Sequence, residues 1–175
     1  MPFAVLVVAL LQVLLAATFV VLPIVGVRYG PAAQEAAEAD VARQGFAVGV
    51  LAERGVNFGA SRGSVVVAVA IGACLAALAV LNLAGSDLGR LLTWILQPIL
   101  FVAGVFIMPG EVFTARYVGA AFRKAGVRDL DVAAFVDAAG SAYPSWTRPV
   151  IITRLVLTTV GSIVVVVLLA LPGSR

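Results

Sequence analysis

Arg116, Arg123 and Lys124 fall together in the stretch ARYVGAAFRKAG, residues 115–126, of a chain that is only 12% charged. Arg128, Arg148 and Arg154 follow within the next thirty residues or so. Guanidinium and ammonium groups gathered this way form charge-assisted hydrogen bonds with phosphates and carboxylates. The chemistry they suggest is contact with an anionic phospholipid headgroup, at about 1 kcal/mol per basic residue near a membrane surface, or with an acidic partner. The plainer role is topological, because cytoplasmic loops beside membrane spans carry the Lys and Arg excess.

Other chemistries are excluded by what is missing. The sequence contains no histidine and one cysteine, Cys74. Histidine-ligated haem, His-based zinc sites and Ser-His-Asp or Cys-His nucleophilic systems therefore cannot be built. Dithiol exchange within the chain and thiolate clusters go with them. No carboxylate falls inside a long apolar run, Asp87 and Glu111 lying at the ends, so an autonomous ion-coupled transporter lacks its relay groups. Asp129, Asp131 and Asp137 lack metal-loop spacing and read as a helix start and a solvated face. The stretch NFGASRGS, 57–64, faintly resembles a phosphate cradle but lacks its lysine, and reads as a flexible lead into a helix capped by Ser64. No cofactor, metal or nucleic acid is expected.

The elements that must position the cations follow from hydropathy. Hydrophobic residues make up 62% of the chain, against roughly 45–50% in soluble domains, and the mean hydropathy is +1.12. Four runs reach the roughly 20 apolar residues needed to cross a bilayer core, at about 3–27, 64–84, 91–108 and 150–171. The fold class expected is all-α: a polytopic integral membrane protein with four transmembrane helices and two cytoplasmic helical loops, 31–54 and 110–143, lying near the membrane surface. Residues 1–175 would form one membrane domain. The first run has no Lys or Arg before it and reads as a retained helix, not a cleaved leader. Arginine outnumbers lysine eleven to one, the bias of a high-GC genome such as an actinobacterial one.

Charge sets the orientation. Of the 12 cations, Arg28, Arg43, Arg54, Arg62, Arg116, Arg123, Lys124, Arg128, Arg148 and Arg154 fall on one side, and only Arg90 and Arg175 on the other. A bacterial inner-membrane protein is expected, with both long loops cytoplasmic and both termini outside. Arg154 lies inside the fourth run and should snorkel to the inner interface beside Arg148 and Trp146, or else pair with a lipid phosphate or a partner's acid.

Within the first loop, Pro31 marks a helix start and the acids Glu35 and Glu38 suit its opening turns, giving a polar helix up to Arg54. In the second, Val132, Phe135, Val136, Ala139 and Tyr143 define one helix face, placed at the headgroup boundary with Tyr143 and Trp146 at aromatic-belt depth. RYGPAA at 28–33 is echoed by RYVGAA at 116–121, a weak sign of duplication. Gln12, Asn82, Gln97 and Thr158 are candidates for hydrogen bonds between helices, and Gln97 precedes a kinking Pro98. Ala68, Gly72 and Ala76 form a small-residue seam for close helix approach.

These features favour a non-enzymatic accessory or scaffold subunit of a larger inner-membrane complex, an envelope-lipid or fatty-acid uptake system or a respiratory complex, with other membrane protein subunits as partners. The alternative is a stand-alone or homo-oligomeric lipid-binding protein using the basic rim: Arg116, Arg123, Lys124, Arg128, Arg148 and Arg154. An enzyme or transporter of unfamiliar chemistry is the remaining class.

Overall fold

Alanine explains the first departure from expectation. In the computed structural model, which describes residues 3–170, helix α1 runs unbroken from Phe3 to Arg43 and carries both Pro23 and Pro31 inside it. Each proline removes one rung of the ladder, at the carbonyls of Phe19 and Val27, but the strong helix formers of AAQEAAEADVAR carry the helix onward. Pro31 therefore does not start a new helix. Gly30, Ala33, Ala37 and Val41, spaced three and four apart, are all buried on one stripe. At Gly30 a side chain has no room, since an added Cβ would run into the backbone of Gly59. The loop helix expected to reach Arg54 ends at Arg43, and Gly45 at φ +83° turns the chain. A separate short helix, α2, covers Gly49–Glu53.

Helix α3 spans Arg62–Leu83, and its cap is Ser61, whose hydroxyl accepts from the Ser64 amide at 3.1 Å, in place of the expected Ser64. After a turn through Gly85 at φ +69°, Ser86 caps α4, Asp87–Phe106. Two further breaks give α5, Pro109–Val112, and α6, Thr114–Lys124. Asp131 then caps α7, Val132–Ser141, accepting from the Ala134 amide at 3.1 Å. Helix α8, Thr147–Val156, passes through a π turn at Leu157–Gly161 into α9, Ser162–Ala170. It begins three residues earlier than expected because Pro149 sits in its first turn, where its missing N–H has no partner to lose. Leu171, Arg175 and both chain termini, and with them the expected placing of the termini outside, lie beyond the described residues.

The protein is all-helical, and four of its helical stretches, Phe3–Arg43, Arg62–Leu83, Asp87–Val112 and Thr147–Ala170, are long and apolar enough to cross a membrane. Among the described residues there is no strand. Helix α1 is the centre, packing on α3, α7, α8, the π turn and α9. On α3 the small-residue stripe runs through Ala68 and Gly72 and then to Leu75 and Ala79, all turned toward the protein interior. A Cβ at Gly72 would lie 3.1 Å from the Ala16 carbonyl oxygen and 3.1 Å from Val20. Ala76, expected on this seam, is exposed, because a 3.6-residue period carries position i+8 off a face that i+7 still occupies. The seam serves α1 of the same chain.

Buried polar groups pin the helices at the end opposite the loops. The Gln12 amide donates to Thr93 Oγ1 at 3.2 Å, and the Asn82 amide donates to Gln12 Oε1 at 3.1 Å and to Thr93 Oγ1 at 2.9 Å. The Thr93 hydroxyl donates on to the Gly89 carbonyl at 2.8 Å, which closes the network. Gln97 donates to Ser162 Oγ at 3.1 Å, tying α4 to α9. Arg90 reaches the Leu169 carbonyl at 2.5 Å.

At the other end the two long loops pack into one cluster. Ala33, Ala37 and Val41 of α1 meet Leu51, Phe122, Leu130, Phe135 and Ala139. Phe122 and Phe135 are fully buried with ring centroids 6.0 Å apart, edge to face. Burying each such ring contributes about 1.5–3 kcal/mol. The apolar face of α7 is thus spent on α1 and α6 and is not left free for a headgroup boundary. Gln44 fixes the junction, accepting from the Asp131 amide at 2.7 Å and donating to the Asp131 carbonyl at 3.1 Å. The two echoed stretches occupy different settings, RYGPAA inside the unbroken α1 and RYVGAA in the separate α6.

Candidate functional site

Arg154 organises the site. It lies seven residues into the helix that begins at Thr147, about 10 Å along the axis, on the face turned toward α1. There it is 6% exposed, its guanidinium 5.5 Å from the centre of the Phe19 ring and paired with Glu111 through Nη2. Snorkelling beside Arg148 and Trp146 is therefore corrected: those two side chains are exposed, while Arg154 turns inward to an acid of its own chain. The pairing is physically required, since a charge this buried must be neutralised by a partner. Arg154 Nε is also buried and has no hydrogen-bond partner.

The guanidinium looks into a cleft of about 650 Å³. Phe19, Leu22, Pro23 and Gly26 of α1 form its floor. Ser64, Val67, Ala68 and Ile71 of α3 form one wall, and Met108, Glu111, Ile151 and Arg154 the other. At the turn end α3 and α4 touch closely, as Gly89 shows: a Cβ there would lie 2.6 Å from Leu81 Cβ. Toward the loop end the chain between Ile107 and Thr114 breaks away from α3, and the cleft opens between them. Its lining is mainly apolar, with the Arg154–Glu111 ion pair at one end, the arginine buried and the acid partly exposed.

A second cavity, also about 650 Å³, adjoins the first on the loop side. Phe58, Glu111, Thr114, Tyr143, Thr147 and Ile151 line both and form the wall between them. In that wall the Tyr143 hydroxyl donates to the Phe58 carbonyl, and the Thr147 hydroxyl is buried without a partner. Beyond the wall, Arg116 and Arg148 supply positive charge and Asp137 negative. Tyr29 packs 6.4 Å from Tyr143 behind it.

Burial pushes the Tyr143 hydroxyl above its ordinary value of 10.0. A raised value means that the folded protein favours the neutral, donating form. Its contribution to stability is complete below pH about 10 and is lost as pH rises through the folded value. Thermal melts of wild type should therefore fall more steeply above about pH 10 than those of Tyr143→Phe, which lacks the titrating group. Parallel curves would show that the hydroxyl contributes nothing.

Of the cations singled out in the sequence, the structure gathers Arg116, Arg148 and Arg154 around the two cavities. Arg123 and Lys124, in the last turn of α6, and Arg128 in the following loop are exposed and line neither. Sequence reasoning missed Glu111, Thr147 and Tyr143 as members of one site. The only local signal was the PGE break at 109–111, which places an acid at a helix interruption beside an apolar run. Comparisons of the chain with protein-family models, with curated proteins and with solved structures returned no match.

Proposed function

We propose that the protein is a non-enzymatic, multi-pass protein of a bacterial inner membrane that binds an acidic lipid in the cleft floored by α1. Both long loops face the cytoplasm in this reading, on the distribution of cations. One observation carries the lipid reading: a buried arginine whose Nε is unpartnered, at the polar end of a mainly apolar cleft that opens between two long apolar helices. Acyl chains match the Phe19, Leu22, Val67 and Ile71 surface, and a phosphate oxygen matches the free Nε–H. Glu111 neutralises most of the arginine charge, which favours a singly charged ligand over a dianion.

A second reading keeps the protein as an accessory subunit of a larger membrane complex. It is favoured by the outward face of α3, where Ala70, Ala73, Cys74 and Ala77 are exposed and would let another helix approach closely.

Purification in mild detergent, followed by mass spectrometry of retained lipids and proteins, tests both. Wild type is expected to carry anionic phospholipid, and Arg154→Gln about tenfold less, the size of one hydrogen bond between charged groups. Thr147→Val, which keeps the shape of the wall, should lower retention without lowering stability. Wild type free of anionic lipid, but carrying a stoichiometric protein partner, would overturn the first reading in favour of the second.

A further inference from the structure

A lipid held at Arg154 alone leaves the second cavity without a use. That cavity shares its wall with the cleft, and the wall holds Thr147, more than nine-tenths buried with its hydroxyl unpartnered. A ligand phosphate placed at the wall would meet Thr147 on one side and the Arg154 Nε on the other. A group carried on that phosphate beyond the acyl glycerol has the second cavity as its neighbouring space, since the two share the lining of the wall. We propose that this cavity is the headgroup subsite for a phospholipid bearing a polyhydroxyl headgroup, of the phosphoglycerol or phosphoinositol class; the inference rests on the lipid-binding reading above.

Three features select that class. The volume of about 650 Å³ exceeds what a bare phosphate fills, so a phosphomonoester lipid would leave it empty. Arg116 and Arg148 oppose the ammonium of choline or ethanolamine headgroups and admit the phosphate's negative charge. Asp137, on the far side, repels further phosphate groups but accepts hydrogen bonds from hydroxyls, as does Ser145. A neutral polyol on a single phosphodiester satisfies all of these together. The arrangement also divides the labour: the cleft takes the chains, the wall takes the phosphate, and the cavity reads the headgroup.

The test uses the full-length protein in phosphatidylcholine nanodiscs containing equal amounts of phosphatidylglycerol, phosphatidylinositol and phosphatidic acid, with bound lipid identified by native mass spectrometry. Wild type should enrich the two polyol lipids over phosphatidic acid about tenfold or more, as expected for one hydrogen bond to a charged group. Arg116→Gln with Arg148→Gln should raise retention of the disc's phosphatidylcholine relative to the polyol lipids, because the charges that oppose its ammonium are gone. Asp137→Asn, at an exposed position that does not endanger folding, should shift the preference toward phosphatidic acid. Unchanged preference in these variants, or equal retention of phosphatidic acid by wild type, overturns the headgroup subsite and leaves the cleft standing. Failure of wild type to retain any anionic lipid overturns both. Displacement of the lipid by an equal concentration of soluble glycerol phosphate would also overturn the proposal, because the acyl chains would then contribute nothing.

Discussion

Glu111→Ala should destabilise the protein by about 3 kcal/mol and Arg154→Gln by clearly less, although the two substitutions break the same ion pair. The asymmetry comes from unequal exposure, the Arg154 side chain being 8% exposed and Glu111 42%. Removing the acid strands a charge among Phe19, Ile151 and Met108, where solvation is poor. Removing the arginine leaves a carboxylate that water can reach. Replacing both by leucine should recover most of the loss, since a buried pair of charges exchanged for apolar packing is often neutral or better. Thermal unfolding in detergent of the three variants checks this, and equal losses from the two single substitutions would contradict it. The same comparison separates folding from binding: the leucine double variant should be stable and yet carry no anionic lipid.

Gly72→Ile is expected to cost about 3 kcal/mol, at the upper end of overpacking effects, whereas Ala76→Ile should stay within about 0.5 kcal/mol. At Gly72 even a methyl group presses on the Ala16 carbonyl and Val20 at 3.1 Å, in the contact between α1 and α3 that also forms the cleft. The Ala16 carbonyl is backbone and cannot turn aside, so the helices themselves must separate. Ala76 is exposed on the outward face of α3. Circular dichroism melts distinguish the two positions, and comparable losses would mean that α3 sits on α1 in a different rotation.

What could be read from the sequence was set by signals that survive without a partner. Four long apolar runs announce four long apolar helices, and the one-sided distribution of arginine anticipates that the two long loops share an end, where Val41, Leu51, Phe122 and Phe135 do meet. Boundaries failed where the decisive contact was made by small residues. Ala33 and Ala37 are fully buried, yet alanines among Gln, Glu and Asp give no apolar stripe, so the second half of α1 read as a solvated loop helix. The need for glycine at position 30 comes from the backbone of Gly59, on a strandless stretch nearly thirty residues away. The sequence puts Arg154 inside the fourth long helix but nearer its start and facing the wrong way, because the helix begins at Thr147 and the partner is 43 residues distant with no local spacing to couple them. The cleft had no sequence signal, since it exists only through the parting of α3 from the 107–114 break.

Pro23 lies in the floor of that cleft, where a rung of the helix is missing at the Phe19 carbonyl. From there to Arg43 the helix runs twenty residues further, about 30 Å and through Pro31 without a break, with the loop cluster packed on it through Ala33, Ala37 and Val41. A bend at Pro23 would therefore turn α1 about a point in the cleft. A bend of about 10° at Pro23 swings the far end by about 5 Å, simple trigonometry on a rod of that length. Any bend of α1 at Pro23 would therefore displace Arg43, Gln44 and the α7 cap at Asp131 together.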